Sequence, residues 1–182
     1  MNRPDWNQYF MTMAYLASSR SQDDSTHAGT VIVRPDNSVV TTGYNNPIRG
    51  MTIEQVPKTR PEKYFYMEHA ERNAIYTAAG NEGGLKGCTL YINFLPCADC
   101  ARAIVQSGIS EVVVHREGQD AFNEANGITG GSWDSSFDAT LKIFTKPATS
   151  SMQRRKSDSI LRWWSGELYM PSGFFRGKEY KL

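Results

Sequence analysis

Segments of strand-type and helix-type sequence alternate between residues 29 and 115, and this order limits the possible folds more than any other feature. Two segments rich in β-branched residues, 29–34 and 38–44, flank Pro35-Asp36-Asn37, which is typical of a tight turn and predicts a β-hairpin. Downstream, hydrophobic periodicity and Gly or Pro breaks predict helix 69–79, strand 88–94, helix 97–107 and strand 111–115. The order β-β-α-β-α-β predicts an α/β fold in which helices cover a mixed sheet.

Three further segments complete this prediction. Apolar residues from Trp6 to Ala17 recur at spacings of three and four, which predicts an amphipathic helix. Residues 45–68 contain three prolines and no sustained period, so we expect an irregular connection of the kind that is usually functional. Residues 118–132 are rich in Gly and Asn and are predicted to be loop, and residues 133–144 are predicted to form one more helix.

Composition excludes several classes of protein. The 182 residues include 20 Lys+Arg and 19 Asp+Glu, a net charge of +1 that argues against electrostatic coating of nucleic acid. No apolar run reaches the roughly 18 residues that a membrane helix needs. The N-terminus lacks the apolar core of a secretory signal, so we expect a cytoplasmic protein. Three cysteines are too few for a disulfide framework.

The charge distribution predicts two regions along the chain. Residues 1–149 are expected to form one compact domain. Residues 150–182 form a basic and aromatic C-terminal extension with 7 Lys+Arg and 3 Asp+Glu, so its net charge is 7 − 3 = +4. Interleaved basic and aromatic residues are typical of single-strand binding, but packing on the body or on a neighbouring subunit is the favoured interpretation, because exposed tryptophan pairs promote aggregation.

Two short motifs contain the chain's most distinctive chemistry. His69 is followed two residues later by Glu71, and Pro96 precedes Cys97 and Cys100, a Cys-x-x-Cys pair. Each motif begins a predicted helix, where the dipole favours thiolates. Two thiolates and one imidazole suit Zn²⁺, and three protein ligands leave the fourth tetrahedral position open, as in catalytic zinc sites. Glu71 is then the predicted proton carrier, and the combined pattern matches the zinc deaminase signature.

The chain resembles the deoxycytidylate (dCMP) deaminase family of the cytidine deaminase-like superfamily from residue 6 to about residue 114. The His-Ala-Glu and Pro-Cys-x-x-Cys elements are typical of the whole superfamily. Gly43-Tyr44-Asn45 and the aromatic run Lys63-Tyr64-Phe65-Tyr66 point to the nucleoside monophosphate branch. Further similar segments are Gly29-Thr-Val-Ile-Val33, Gly87-Cys-Thr-Leu-Tyr91 and Gln106-Ser-Gly-Ile109.

This resemblance implies a three-layer α/β/α fold with a mixed central sheet, and hydrolytic deamination of dCMP to dUMP and ammonia, feeding dTMP synthesis. It implies Zn²⁺ as cofactor, bound by His69, Cys97 and Cys100, with Glu71 moving protons. The backbone N–H of Ala70 is expected to meet the pyrimidine carbonyl, and Asn45 to hold the sugar.

Other substrate contacts are expected from the irregular connection. Tyr66 belongs to an aromatic run suited to stacking on a base, although core packing is the more frequent role of such runs. Lys63 is a candidate for the substrate phosphate, as are Arg49, Lys58 and Arg60.

The resemblance further implies a homo-oligomer, often a hexamer, and regulation by dCTP and dTTP. The loop linked to that regulation in relatives departs from the family pattern here, because Asn46 alone separates Asn45 from Pro47. Two other functions stay open: deamination of a base in tRNA or single-stranded nucleic acid, and a non-catalytic zinc scaffold. His27, His115 and Cys88 are interpreted as structural residues, since none has a recognisable ligand spacing.

Overall fold

A computed structural model describes residues 3–80, 84–125, 127, 132–145 and 159–169. Its main sheet has five strands in the order β2-β1-β5-β6-β7. Strand β1 pairs antiparallel with β2, its partner in the predicted hairpin, and antiparallel with β5. Strands β5 and β6 are parallel. The predicted α/β fold with a mixed sheet is therefore confirmed. The strands are β1 (Gly29–Val33), β2 (Val39–Tyr44), β5 (Thr89–Ile92), β6 (Glu111–His115) and β7 (Leu161–Trp164), and a separate pair comprises β3 (Asn46–Pro47) and β4 (Met67–Glu68).

Helices cover both faces of the sheet. They are α1 (Trp6–Ser18), α2 (Ala70–Ala79), α3 (Ala98–Gln106), α4 (Arg116–Ala125) and α5 (Ser132–Thr145). Alternate residues of β1 point to opposite faces, so Val31 packs in the cluster that contains Phe10 of α1, whereas Ile32 packs in the cluster that contains Ala74 of α2 and Phe144 of α5. This arrangement confirms the predicted three layers.

Gly43 allows α2 to lie directly against β2. A Cβ atom at this position would stand 2.3 Å from the Ala70 carbonyl oxygen and 2.8 Å from the Ala74 Cβ. Such distances are far inside van der Waals contact, so only glycine fits without moving the helix. The close approach fixes the start of α2, which is also the end that contains His69 and Glu71.

The predicted loop at residues 118–132 is wrong in its first part, which is helical in α4. Gly118 was part of the reason for predicting a loop, but its role is close packing: a Cβ there would stand 2.2 Å from the Tyr15 hydroxyl and 2.7 Å from the Asn93 carbonyl oxygen. The side chain of Gln119 is buried and accepts a hydrogen bond from the backbone N–H of Leu95 at 2.6 Å. Tertiary contacts therefore outweigh the low helix propensity of this stretch.

The C-terminal segment contributes to the sheet where it is described. Strand β7 pairs in parallel with β6, and Arg162 forms an ion pair with Glu111 at 2.6 Å. The favoured packing of the extension on the body is thus confirmed for residues 159–169. The boundary at residue 150 stays a prediction, and residues 150–158 and 170–182 lie outside the described part. No helix within the described ranges has the length and apolar character to cross a membrane.

We expect Gly43→Ala to lower the free energy of unfolding by about 1–3 kcal/mol, the usual cost of overpacking, and to shift α2. Urea or thermal unfolding measures this change. Gly80→Ala is the matched control, because a Cβ at Gly80, the residue after α2, would meet only the Thr77 carbonyl oxygen at 3.7 Å. Equal stability of the two variants would contradict the tight contact between α2 and β2.

Candidate metal centre and adjoining cavity

The three predicted metal ligands lie at the beginnings of two helices. His69 precedes the first residue of α2 and Cys97 precedes the first residue of α3, both with extended backbone, and Cys100 lies in the first turn of α3. Neither His69 nor Cys97 uses its side chain to cap its own helix. Their ring and sulfur therefore remain available for a ligand, at helix ends whose dipoles favour anionic sulfur.

The donor atoms are close enough to share one ion. Nδ1 of His69 lies 3.5 Å from Sγ of Cys97 and 3.6 Å from Sγ of Cys100, and the ligand atoms of all three residues lie within 4.8 Å of one another. A tetrahedral Zn²⁺ with typical Zn–S and Zn–N lengths separates sulfur from nitrogen by about 3.6 Å. Both the donor set and its spacing thus fit zinc. Within the described residues this is the one cluster of its kind.

The protein groups themselves favour a charged cluster. A hydrogen bond from the Cys100 thiol, together with one from His69, lowers the pKa of Cys97 to about 4 despite burial. The hydrogen bond with Cys97 raises the pKa of His69 to about 9, and the Cys97 sulfur with burial raises the pKa of Cys100. The Cys97 sulfur is therefore anionic at neutral pH, the state in which it binds metals.

Glu71 lies in the first turn of α2 and is 4% exposed. Burial raises its pKa, although the nearby charge of His69 opposes the shift. A carboxylate whose pKa is raised accepts a proton more readily than an ordinary carboxylate does. Its carboxylate is not part of the three-residue ligand cluster found in the described chain.

A cavity adjoins this cluster. His69, Cys97 and Glu71 line it together with the aromatic rings of Phe94, Phe122 and Phe137. The rings of Phe94 and Phe122 are in contact, with centroids 4.8 Å apart. Polar and charged residues from two loops also line the cavity: Asp23, Ser25, Thr26, Asn45 and Arg60. The cavity thus combines apolar walls with a few polar groups, as small-molecule sites usually do.

Two predicted substrate-binding residues lie beside the ligands. Asn45 lines the cavity, and its side chain accepts a hydrogen bond from the Ala28 N–H at 2.8 Å and donates one to the Thr26 carbonyl at 2.8 Å. Ala70 is the first residue of α2, where backbone N–H groups have no partner within the helix. Their predicted contacts with substrate stay predictions.

Lys63, like Ala70, is not among the residues that line the cavity. The Lys63 ammonium donates hydrogen bonds to Asp23 at 2.7 Å and Ser25 at 3.1 Å, and its side chain is 12% exposed. This buried ion pair holds the loop that contains Asp23 and leaves Lys63 little capacity for a phosphate. Tyr66 is also absent from the lining.

Arg60 and Tyr64 line the cavity from the same connection, and the Arg60 guanidinium lies 5.7 Å from the centroid of the Tyr64 ring. Among the basic and aromatic candidates of this connection, Arg60 and Tyr64 line the cavity, whereas Lys63 and Tyr66 do not.

The remaining candidates have structural surroundings. His115 is 6% exposed, lies 2.7 Å through Nδ1 from the Tyr15 hydroxyl and contacts the Gly166 carbonyl through Nε2. Its interpretation as a structural histidine is confirmed, and Cys88 is buried as expected. His27 is exposed, and its carbonyl accepts a hydrogen bond from Asn93.

Two polar residues of α5 that lie beside the segment around Cys97 were not predicted from the sequence. Ser136 and Thr140 lie four residues apart on an otherwise apolar helix face, and both are hydrogen-bonded to the segment around Cys97. Two polar residues spaced by four on an apolar helix face are the sequence signal that could have identified them.

Comparison with known proteins agrees with this geometry. A family model described as the cytidine and deoxycytidylate deaminase zinc-binding region matches residues 4–116. The chain belongs to this family.

Among curated relatives, the deoxycytidylate deaminases of Pongo abelii and Mus musculus are each 39% identical over 115 residues, covering 60% of this chain and 64% of the relative. The chain thus spans less than two thirds of the length of these relatives. The crystal structure of dCMP deaminase from the cyanophage S-TIM5 in apo form matches with a TM-score of 0.54 at 25% identity. That match covers 68% of this chain and 94% of the phage protein, and it agrees with the cytidine deaminase-like fold.

We expect Asp23→Asn to lower the free energy of unfolding by about 3 kcal/mol above pH 5, because it leaves the Lys63 ammonium buried without its partner. Burial favours a higher pKa for Asp23, but hydrogen bonds from Lys63 and Ser25 lower it overall. Its stabilising effect is therefore complete above the unfolded pKa of about 3.9 and is lost as the pH falls through the lower folded value.

Urea unfolding between pH 3 and pH 7 measures this dependence on pH. The difference between wild type and Asp23→Asn should shrink at the acidic end. Asp24→Asn is the matched control, since its side chain is 88% exposed and lies 3.9 Å from Lys58. If both variants followed one curve, the buried Asp23–Lys63 pair would not stabilise the fold.

Proposed function

We propose that this protein deaminates dCMP hydrolytically, consuming water and yielding dUMP and ammonia. The observation that carries the proposal is the cluster of His69, Cys97 and Cys100 beside a cavity that His69, Cys97 and the buried Glu71 line. The chain that contains it belongs to the cytidine and deoxycytidylate deaminase zinc-binding family. The names of the curated relatives and of the cyanophage protein support dCMP as the substrate.

The three ligands are proposed to hold zinc through one imidazole nitrogen and two sulfurs. When bound, zinc supplies Lewis acidity, which makes water a nucleophile near neutral pH. His69 and Cys97 line the same cavity as Phe94, Phe122 and Phe137, whose apolar rings are proposed to reduce the access of bulk water to this chemistry.

Glu71 is proposed to transfer protons. Its carboxylate accepts a proton from water as the oxygen attacks C4 of the cytosine ring, and it delivers that proton to N3. Glu71 then takes the remaining proton from the new C4 hydroxyl and passes it to the 4-amino group, which leaves as ammonia while the C4 carbonyl forms. Burial raises the pKa of this carboxyl group, which suits a residue that must both accept and donate a proton.

A contact is proposed for each part of the nucleotide. The Ala70 N–H at the start of α2 suits the pyrimidine carbonyl, and Asn45, held by the 26–28 backbone, suits the sugar. Arg60 is proposed for the phosphate, because it is the one Arg or Lys among the described residues that line the cavity. Lys63 and Tyr66 keep the status of predictions without a supporting contact.

Several expectations rest on the resemblance to dCMP deaminases alone. They are a homo-oligomer, with a hexamer as the expected form, dCTP and dTTP as effectors, and a supply of dUMP for dTMP synthesis. A cytoplasmic location stays a prediction from the sequence. Deamination of a base in tRNA or single-stranded nucleic acid remains the alternative activity, and a non-catalytic zinc scaffold the alternative role.

We expect Glu71→Gln to reduce kcat for dCMP by about 10²–10⁴-fold while zinc content stays near one ion per chain, because the proton carrier is lost and the ligands are kept. Ammonia release and metal analysis of the purified protein measure the two quantities. Glu62→Gln is the control, since Glu62 is an exposed acid that does not line the cavity.

The same ammonia assay should be run with cytidine, CMP, dCTP and a tRNA anticodon stem as substrates. Turnover of the tRNA stem with none of dCMP would favour the nucleic-acid alternative. A zinc-loaded protein that is inert toward every substrate would favour the scaffold.

Arg60→Ala is expected to raise KM for dCMP by roughly tenfold or more, the equivalent of a charged hydrogen bond, and to leave turnover of deoxycytidine, which has no phosphate, almost unchanged. Steady-state kinetics with both substrates test this. Arg49→Ala provides the control, because Arg49 lies in the same connection but is bound to Thr77, outside the cavity lining. An equal loss with both substrates would contradict a phosphate contact.

A further inference from the structure

Residues 94–98, which lead from β5 into the first residue of α3, are held by the part of the chain that follows the family match. The Leu95 N–H donates to Gln119 Oε1 at 2.6 Å, the Thr140 hydroxyl donates to the Pro96 carbonyl at 2.9 Å, and the Ala98 N–H donates to Ser136 Oγ at 3.0 Å. Gln119 belongs to α4, and the two hydroxyl residues belong to α5. The family match ends at residue 116, so it assigns no role to these three residues.

Ser136 has a particular function at the start of α3. A helix normally begins at a residue whose side chain accepts hydrogen bonds from the first N–H groups. Cys97 occupies this position but makes no such bond, and its sulfur lies 3.5 Å from His69 instead. Ser136 satisfies the N–H of Ala98, the first residue of the helix, from outside. The helix is thereby capped without using the sulfur of Cys97.

The other two hydrogen bonds are buried, so the loss of either one would leave a buried backbone group without a partner. Thr140 is fully buried, and Gln119 is 5% exposed. If either side chain lost its polar atoms, the Pro96 carbonyl or the Leu95 N–H would lack a partner in a region with little access to water. Backbone groups in this state move to find new partners, and Cys97 is the next residue after Pro96.

We propose that Gln119, Ser136 and Thr140 are positioning residues of the metal centre. They fix the backbone on both sides of Cys97. The Cys97 sulfur is thereby held at the distances from the Cys100 sulfur and the His69 ring that zinc requires. They act through the 94–98 segment and touch neither the ion nor the substrate. The inference rests on zinc binding as proposed above, and it is independent of which base is deaminated.

The test compares three variants of one helix in the zinc-loaded 182-residue chain. Thr140→Val keeps the shape but removes the hydroxyl, and Thr140→Ser keeps the hydroxyl. Thr145→Val is the matched control, because Thr145 is exposed and its hydroxyl donates within the helix to the Leu141 carbonyl at 2.7 Å. Zinc release to a coloured chelator, the cobalt–thiolate absorption of Co²⁺-substituted protein and unfolding by urea are measured for each.

We expect Thr140→Val to release zinc about 10–100-fold faster and to alter the cobalt spectrum, as changes around metal ligands typically do. Thr140→Ser should restore both properties, and Thr145→Val should match the wild type. Should Thr140→Val fail to fold, Ser136→Ala replaces it, with Ser107→Ala at the opposite end of α3 as its control.

Unchanged zinc release and an unchanged cobalt spectrum in folded Thr140→Val or Ser136→Ala would overturn the proposal. Failure of both variants to fold would also overturn it, since the bonds would then serve the fold as a whole. Loss of dCMP turnover plays no part in these readouts. Failure of the proposed activity is therefore distinguishable from failure of this inference.

Discussion

The candidate site depends on the close approach of the N-termini of α2 and α3 on one face of the sheet. His69 and Cys97 each precede a helix, and their side chains come within 3.5 Å only because the two helices pack against the same face of the sheet. Gly43 permits the close approach of α2 to β2, and α3 follows directly from the strand β5. A small displacement of either helix would separate the imidazole from the sulfurs by more than one ion can bridge.

Two parts of the chain contribute different residues to the site. The part that matches the family provides the metal ligands and Glu71. The part beyond residue 116 contributes Phe122 and Phe137 to the wall of the cavity. Polar side chains of α4 and α5 in this part also form hydrogen bonds with the backbone of residues 95 and 96, next to Cys97. The residues that carry the chemistry and the residues proposed to position them therefore lie in different segments of the chain.

The charged residues of the irregular connection illustrate what a sequence cannot resolve. Lys63 and Arg60 are three residues apart, and composition gives no reason to prefer one of them as a ligand for an anion. The structure separates them, because Lys63 neutralises the buried Asp23 whereas Arg60 lines the cavity. Similarly, Gly118 suggested a loop and is in fact a packing position beside Tyr15. Both outcomes depend on residues distant in sequence.

The sequence by itself predicted the order β1-β2-α2-β5-α3-β6, the mixed sheet and the candidate ligand set of His69, Cys97 and Cys100, but not the short pair β3 and β4. Local periodicity and motif spacing are properties of short segments, so they survive without knowledge of the fold. Tertiary structure alone decided that β7 joins the sheet, that α4 is a helix and that Ser136 caps α3. These features arise from contacts between segments that are far apart along the chain, and such contacts leave only weak traces in local sequence.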